Sequence, residues 1–147
     1  MRILGLDLGD KTLGVAVSDA FLWTAQGVTI IKRNNPTEYK QSLSELEKII
    51  KEYDVSEIVL GYPKNMDNSE GERCEKTKIY KEKLEKRFKD IPVILWDERM
   101  STMAAERTLI SADLTRDKRK KVIDKMAAVH ILQGYLDYRS KNIEKKE

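Results

Sequence analysis

The stretch Arg2-Ile3-Leu4-Gly5-Leu6-Asp7-Leu8-Gly9 reads as a buried strand with one acid in its middle. Gly9-Asp10-Lys11-Thr12 reads as a tight turn, and Leu13-Gly14-Val15-Ala16-Val17-Ser18-Asp19 as the strand that returns from it. An unpaired carboxylate buried among such residues costs several kcal/mol. Asp7 therefore calls for a cation, a metal or a hydrogen-bond network, and it is the first candidate functional residue. Gly9 and Gly14 either let the backbone approach a phosphate or serve only the twist of the hairpin.

Working outward, the 147 residues suffice for one domain that buries about two-thirds of its unfolded surface. A net charge of +3 does not by itself imply nucleic acid. Its distribution says more, because Arg116 to Lys121 and Lys141 to Lys146 are locally basic. Cys74 is the only cysteine, so no intrachain disulfide can form. With no nearby histidine to support a thiolate, Cys74 reads as structural. No apolar run is long enough to span a membrane. The N-terminus has no secretory pattern, so a cytoplasmic protein is expected.

Thr24 to Arg33 reads as a third strand, and the short connections make strands one to three an antiparallel meander. Asn35-Pro36-Thr37-Glu38 has the pattern of a helix start, with Asn35 as N-cap. Leu43, Leu46, Ile50 and Tyr53 then recur at helical spacing. Glu57 to Gly61 is a fourth strand, followed by a loop over 62–69. Ser69 and Glu72 fit a capping box for a polar helix reaching about Lys89. Ile91 to Trp96 is a fifth strand that ends in Asp97-Glu98-Arg99. A helix over 102–111, a charged loop over 113–118 and a final helix over 119–138 complete the domain. The tail 139–147 is expected to fray. The resulting α/β fold is a mixed five-stranded sheet with strands 4 and 5 parallel to strand 1 and helices on both faces.

Three acids stand out by position: Asp7, Glu98 at the carboxyl end of strand five, and Asp124 in the last helix. Sites in open α/β sheets form at the carboxyl ends of parallel strands. Asp7 and Glu98 can meet there, and Asp124 can join if the last helix packs across that end. Clustered carboxylates repel one another, and hard divalent cations such as Mg²⁺ or Mn²⁺ relieve the repulsion. Each acid also has a plainer reading. Asp97 or Glu98 could cap the next helix, and Asp124 could pair with Lys120 or Lys121. His130, Trp96 and Tyr135 read as packed side chains. The run Arg116 to Lys121 either contacts a phosphate backbone or is a solvated helix start.

Four ordered blocks carry a resemblance. Gly5-x-Asp7-x-Gly9-x-Lys11-x-x-Gly14-Val15-Ala16-Val17-Ser18-Asp19 is similar to the opening motif of the YqgF (RuvX) family. Gly61-Tyr62-Pro63-x-Asn65-Met66-Asp67-x-Ser69 resembles its central loop, and Asp97-Glu98-Arg99-Met100-Ser101-Thr102-x-x-Ala105 its third block. Ile123-Asp124-Lys125-x-Ala127-Ala128, followed by Ile131-Leu132-Gln133-x-Tyr135-Leu136-Asp137, resembles its last. Tyr62, Asn68 and Met100 depart from the usual pattern without touching the acids. The resemblance implies an RNase H-like fold and a nuclease acting on pre-16S rRNA or on Holliday junctions. It also implies that Asp7, Glu98 and Asp124 are the catalytic acids and metal ligands.

On that basis the expected reaction is phosphodiester hydrolysis assisted by two Mg²⁺ or Mn²⁺ ions. Lys11, Arg99, Lys118, Arg119, Lys120 and Lys121 would hold the backbone of a structured RNA or a branched DNA. A junction resolvase has to present two sites and so requires a homodimer, whereas an rRNA-processing enzyme does not. A non-catalytic binding factor in transcription or ribosome maturation is the reading from another class. A phosphate-binding ATPase of the actin and sugar-kinase type would need two such domains, and this chain has room for one.

Overall fold

The computed structural model describes residues 1–9, 11–34, 39–62, 71–97 and 116–146, with side chains described for all of these except 72, 73, 116–125 and 142–146. Five strands form one sheet: β1 (Arg2–Leu8), β2 (Thr12–Ser18), β3 (Ala25–Lys32), β4 (Val55–Tyr62) and β5 (Val93–Asp97). Their order is β3-β2-β1-β4-β5. β1–β2 and β2–β3 are antiparallel, and β1–β4 and β4–β5 are parallel. The mixed sheet expected from the sequence is the sheet observed.

Alternation along β1 divides the core. Leu4 and Leu6 face one side, where they join Leu43, Leu46 and Ile50 of α1 (Lys40–Tyr53) and Tyr80 and Leu84 of α2 (Glu72–Arg87). Ile3 faces the other side, against Ile131, Leu132 and Leu136 of α3 (Arg116–Lys146). Gly5 faces α3 as well. A Cβ there would lie 2.6 Å from Leu132 Cβ and 3.2 Å from the Ala128 carbonyl oxygen, so only glycine lets the helix lie this close to the strand.

Several element boundaries differ from the sequence reading. α1 begins at Lys40 with Tyr39 before it, not at an Asn35 cap. The Tyr39 carbonyl accepts from Ser42 Oγ at 3.0 Å, and its ring sits under the charged ends of Arg33 and Lys83. The expected capping residues 35–38 lie outside the described residues. α2 starts after an extended Gly71, and Ser69 lies outside the described residues. α3 starts at Arg116, three residues before the expected start, and continues past Tyr138 to Lys146. No glycine or proline interrupts the chain after Gly134, so nothing in its composition ends the helix at 138. The helix expected over 102–111 and the loop over 62–69 fall on residues outside the described set, save for Tyr62, which ends β4. No helix among the described residues is long and apolar enough to cross a membrane.

Candidate nuclease site

Asp7 is the penultimate residue of β1, not its middle, and it is half-buried, not enclosed. The strand ends one residue beyond Asp7, so the carboxylate reaches a boundary where water can offset part of its desolvation. By alternation from Gly5 it stands on the α3 side of the sheet. Its cross-strand partner in β2 is Gly14, which places no side chain beside the carboxylate. Gly14 therefore leaves room next to Asp7 as well as belonging to the hairpin.

β1, β4 and β5 are parallel, so their carboxyl ends share one edge. Asp97 ends β5 opposite Tyr62 of β4. With one strand between them, β1 and β5 are separated by about 10 Å at two strand spacings. Glu98 follows Asp97 directly in the chain, and both Glu98 and Arg99 lie outside the described residues.

The position of α3 relative to β1 follows from three contacts. Gln133 Oε1 accepts from Ala25 N at 2.9 Å, and the Tyr135 hydroxyl bonds the Glu57 carboxylate. Glu57 pairs with Ile3 in the sheet. One step toward the helix N-terminus, Ala128 and Leu132 lie over Gly5. Moving toward the N-terminus of α3 thus moves toward the carboxyl end of β1. One further turn, a rise of about 5.4 Å, leads from Ala128 to the backbone of Asp124. The two strand residues from Gly5 to Asp7 advance about 6.6 Å in the same direction. Arg116 to Lys121 continue the helix beyond that level. Side chains from 116 to 125 are outside the described set, so Asp124 and the basic run are placed by their backbone alone.

Lys11 is exposed in the turn after Asp7. That turn is closed by Gly9 N donating to Thr12 O at 2.8 Å. It is also held by Arg33, whose Nη1 donates to Gly9 O and whose backbone N donates to Lys11 O, each at 2.7 Å. Sequence reading missed this contact, because a strand-terminal arginine carries no pattern that marks it as buried. It also missed Gln133, whose Nε2 donates to Trp23 O at 2.9 Å and ties the far hairpin to α3. Trp96 is buried as expected, and Cys74 is buried as well, although its helix is polar in sequence. Tyr135 and His130 are only half-buried, because α3 carries them along the rim of its packed face. Burial and the Glu57 carboxylate both raise the Tyr135 pKa, so its hydroxyl stays protonated and donates.

Among the described residues no three His, Cys, Asp or Glu side chains gather as a metal site. Asp7 supplies one hard oxygen donor at an open strand end, a donor type that suits Mg²⁺ or Mn²⁺.

The fold is shared with solved resolvases. *Thermus thermophilus* RuvC in complex with a Holliday junction substrate superposes with a TM-score of 0.60 at 12% identity, covering 95% of this chain and 96% of that one. The fowlpox virus Holliday junction resolvase gives 0.51 at 15%, covering 94% and 99%. At these identities the likeness concerns the RNase H-like fold. Sequence relatives are much closer, and they carry the provisional name pre-16S rRNA nuclease. The *Bacillus subtilis* protein is 59% identical over 137 residues, 93% of this chain and 98% of its own. The *Agathobacter rectalis* protein is 56% identical over 140 residues, 95% and 97%. The family model described as RuvX, Holliday junction resolvase, matches residues 1–138. With that span and those identities, the chain belongs to the RuvX family.

Proposed function

We propose that this protein is a divalent-metal-dependent endonuclease of the cytoplasm that trims the 5′ end of pre-16S rRNA. The carrying observation is the placement of Asp7, at the carboxyl end of β1 on the α3 side and beside a glycine, with α3 running on from Ala128 over Gly5 toward that end. Asp7, Glu98 and Asp124 would hold Mg²⁺ or Mn²⁺, which when bound lowers the pKa of water and stabilises the leaving oxygen. The backbone of Asp7 is held in place, because its strand pairs with β2 and β4 on either side. Lys11, Arg99, Lys118, Arg119, Lys120 and Lys121 would contact phosphates, fixing the position of the substrate more than its sequence.

The names of relatives identical at well over half of their positions support the RNA substrate. The description of the family supports a second reading, resolution of DNA junctions, which would require a dimer. The test is cleavage of a pre-16S 5′ segment and of a four-way DNA junction, with Mg²⁺ and with Mn²⁺. The RNA should be cut, and Asp7→Asn should lower the rate at least about a hundredfold, the scale of removing a group that acts only in the transition state. Full activity in Asp7→Asn would sink the assignment. Preferential paired cutting of the junction would transfer it to the resolvase reading.

A further inference from the structure

We infer that Arg33 is a positioning residue that fixes the turn between Asp7 and Lys11 and thereby sets where Lys11 meets the substrate. The inference rests on the nuclease reading for its functional consequence and on geometry for everything else. The β1–β2 ladder ends with Leu8 opposite Leu13. Beyond it, among the described residues, a backbone hydrogen bond from Gly9 N to Thr12 O closes the turn. Arg33 engages the turn twice more, through its guanidinium at the Gly9 carbonyl and through its backbone amide at the Lys11 carbonyl. One residue therefore ties down both sides of the turn.

The environment of Arg33 suits this role. The residue is only 7% exposed. Its guanidinium carbon lies 5.8 Å from the Tyr39 ring centroid and 5.6 Å from that of Tyr80. Tyr80 is itself immobilised, fully buried and hydrogen-bonded to Ser42 Oγ at 2.9 Å. Burial raises the Tyr80 pKa, so the guanidinium faces a neutral ring. The planar cation thus packs against an adjoining pair of rings, whose centroids are 6.0 Å apart, and presents an edge to the Gly9 carbonyl, a task an ammonium group does not match. A buried cation is costly to keep. Here it does more than shape a turn, because committing the Gly9 carbonyl to a guanidinium also occupies an oxygen that would repel an approaching phosphate. The turn so held carries exposed Lys11 and starts two residues after Asp7.

Arg33→Met keeps most of the unbranched stem and removes the donors, whereas Arg33→Lys keeps a charge and N–H donors but loses the planar fork. Amide hydrogen exchange reads the turn directly. In Arg33→Met the Gly9 amide should exchange at least about tenfold faster while amides in the centres of β1 and β4 keep their protection. For RNA cleavage, KM should rise about tenfold, and that rise should largely vanish in a Lys11→Ala background because the two residues act in series. Arg33→Lys should rescue neither effect. Unchanged Gly9 exchange overturns the inference, as do additive KM effects. General loss of protection across β1 and β4 also overturns it, by making Arg33 merely structural. A wild-type protein that cleaves neither RNA nor junctions overturns the nuclease reading instead. Nucleic-acid binding then replaces KM in the same cycle, and the exchange arm still judges the turn.

Discussion

Asp7 and Asp19 stand at opposite ends of the β1–β2 pair and serve different purposes. Asp7 sits at an open strand end with a glycine beside it. Asp19 Oδ1 accepts from Trp23 N at 2.7 Å and Thr24 N at 3.1 Å, which organises the β2–β3 hairpin. That hairpin keeps Leu22 in the left-handed region at φ 63° and packs it against the apolar cluster between the sheet and α3. Phe21 and Trp23 are left exposed and stacked on each other, with ring centroids 5.3 Å apart. Desolvation pushes the Asp19 pKa up, but the amides of Thr24 and Trp23 and the nearby Arg2 charge outweigh it and hold it below the ordinary aspartate value. A depressed folded-state pKa gives stabilisation that is present above the unfolded value and lost as pH falls through the folded one. With Trp96→Phe leaving Trp23 as the sole tryptophan, Trp23 emission should stay constant on acidification through the usual aspartate range and change only below it. Asp19→Asn should remove that transition, and a midpoint above the usual aspartate value would contradict the assignment.

At the scale of elements, the seating of α3 on β1 decides whether Asp124 can reach the level of Asp7. Gly5 governs that seating. In Gly5→Ala the new methyl would meet Leu132 Cβ at 2.6 Å, so the helix has to shift. The expected destabilisation is about 1–3 kcal/mol, the usual scale of overpacking, read as a lower urea midpoint. Gly5→Ala combined with Leu132→Gly should cost less than the sum of the two single changes, because only loss of the Leu132 Cβ relieves the clash made by the first. Additive losses would mean the helix is seated by something other than this contact. Nuclease activity should fall further than stability in Gly5→Ala if the shift moves Asp124. The glycine was legible in sequence only as a motif letter, since its partner lies at the other end of the chain. The interior of α1 was legible, because Leu43, Leu46 and Ile50 repeat at helical spacing and are buried as that spacing requires. Its start was not, because Tyr39 is drawn into contacts with Arg33 and Lys83 that no local capping rule anticipates.

For the whole molecule, topology followed from connection lengths. Two short links force the antiparallel meander, and alternation of strands with helices forces the parallel half. That logic alone puts the carboxyl ends of β1, β4 and β5 on one edge. It could not reveal Arg33 or Gln133, whose partners are set by tertiary packing and not by spacing. The same global view bears on the substrate. Symmetric cutting of a junction requires two sites in one particle, whereas end maturation of an RNA requires one. On the rRNA reading, the protein should sediment as a 17.0 kDa monomer at the concentrations where it cleaves RNA. Its cleavage rate should then be proportional to protein concentration. Binding should weaken with added salt, and Lys11→Ala should make the slope of log affinity against log salt shallower by about one phosphate contact. A dimer that introduces paired nicks within the lifetime of one bound junction would instead assign the two open strand ends, each with its Asp7, to opposite arms of a DNA crossover.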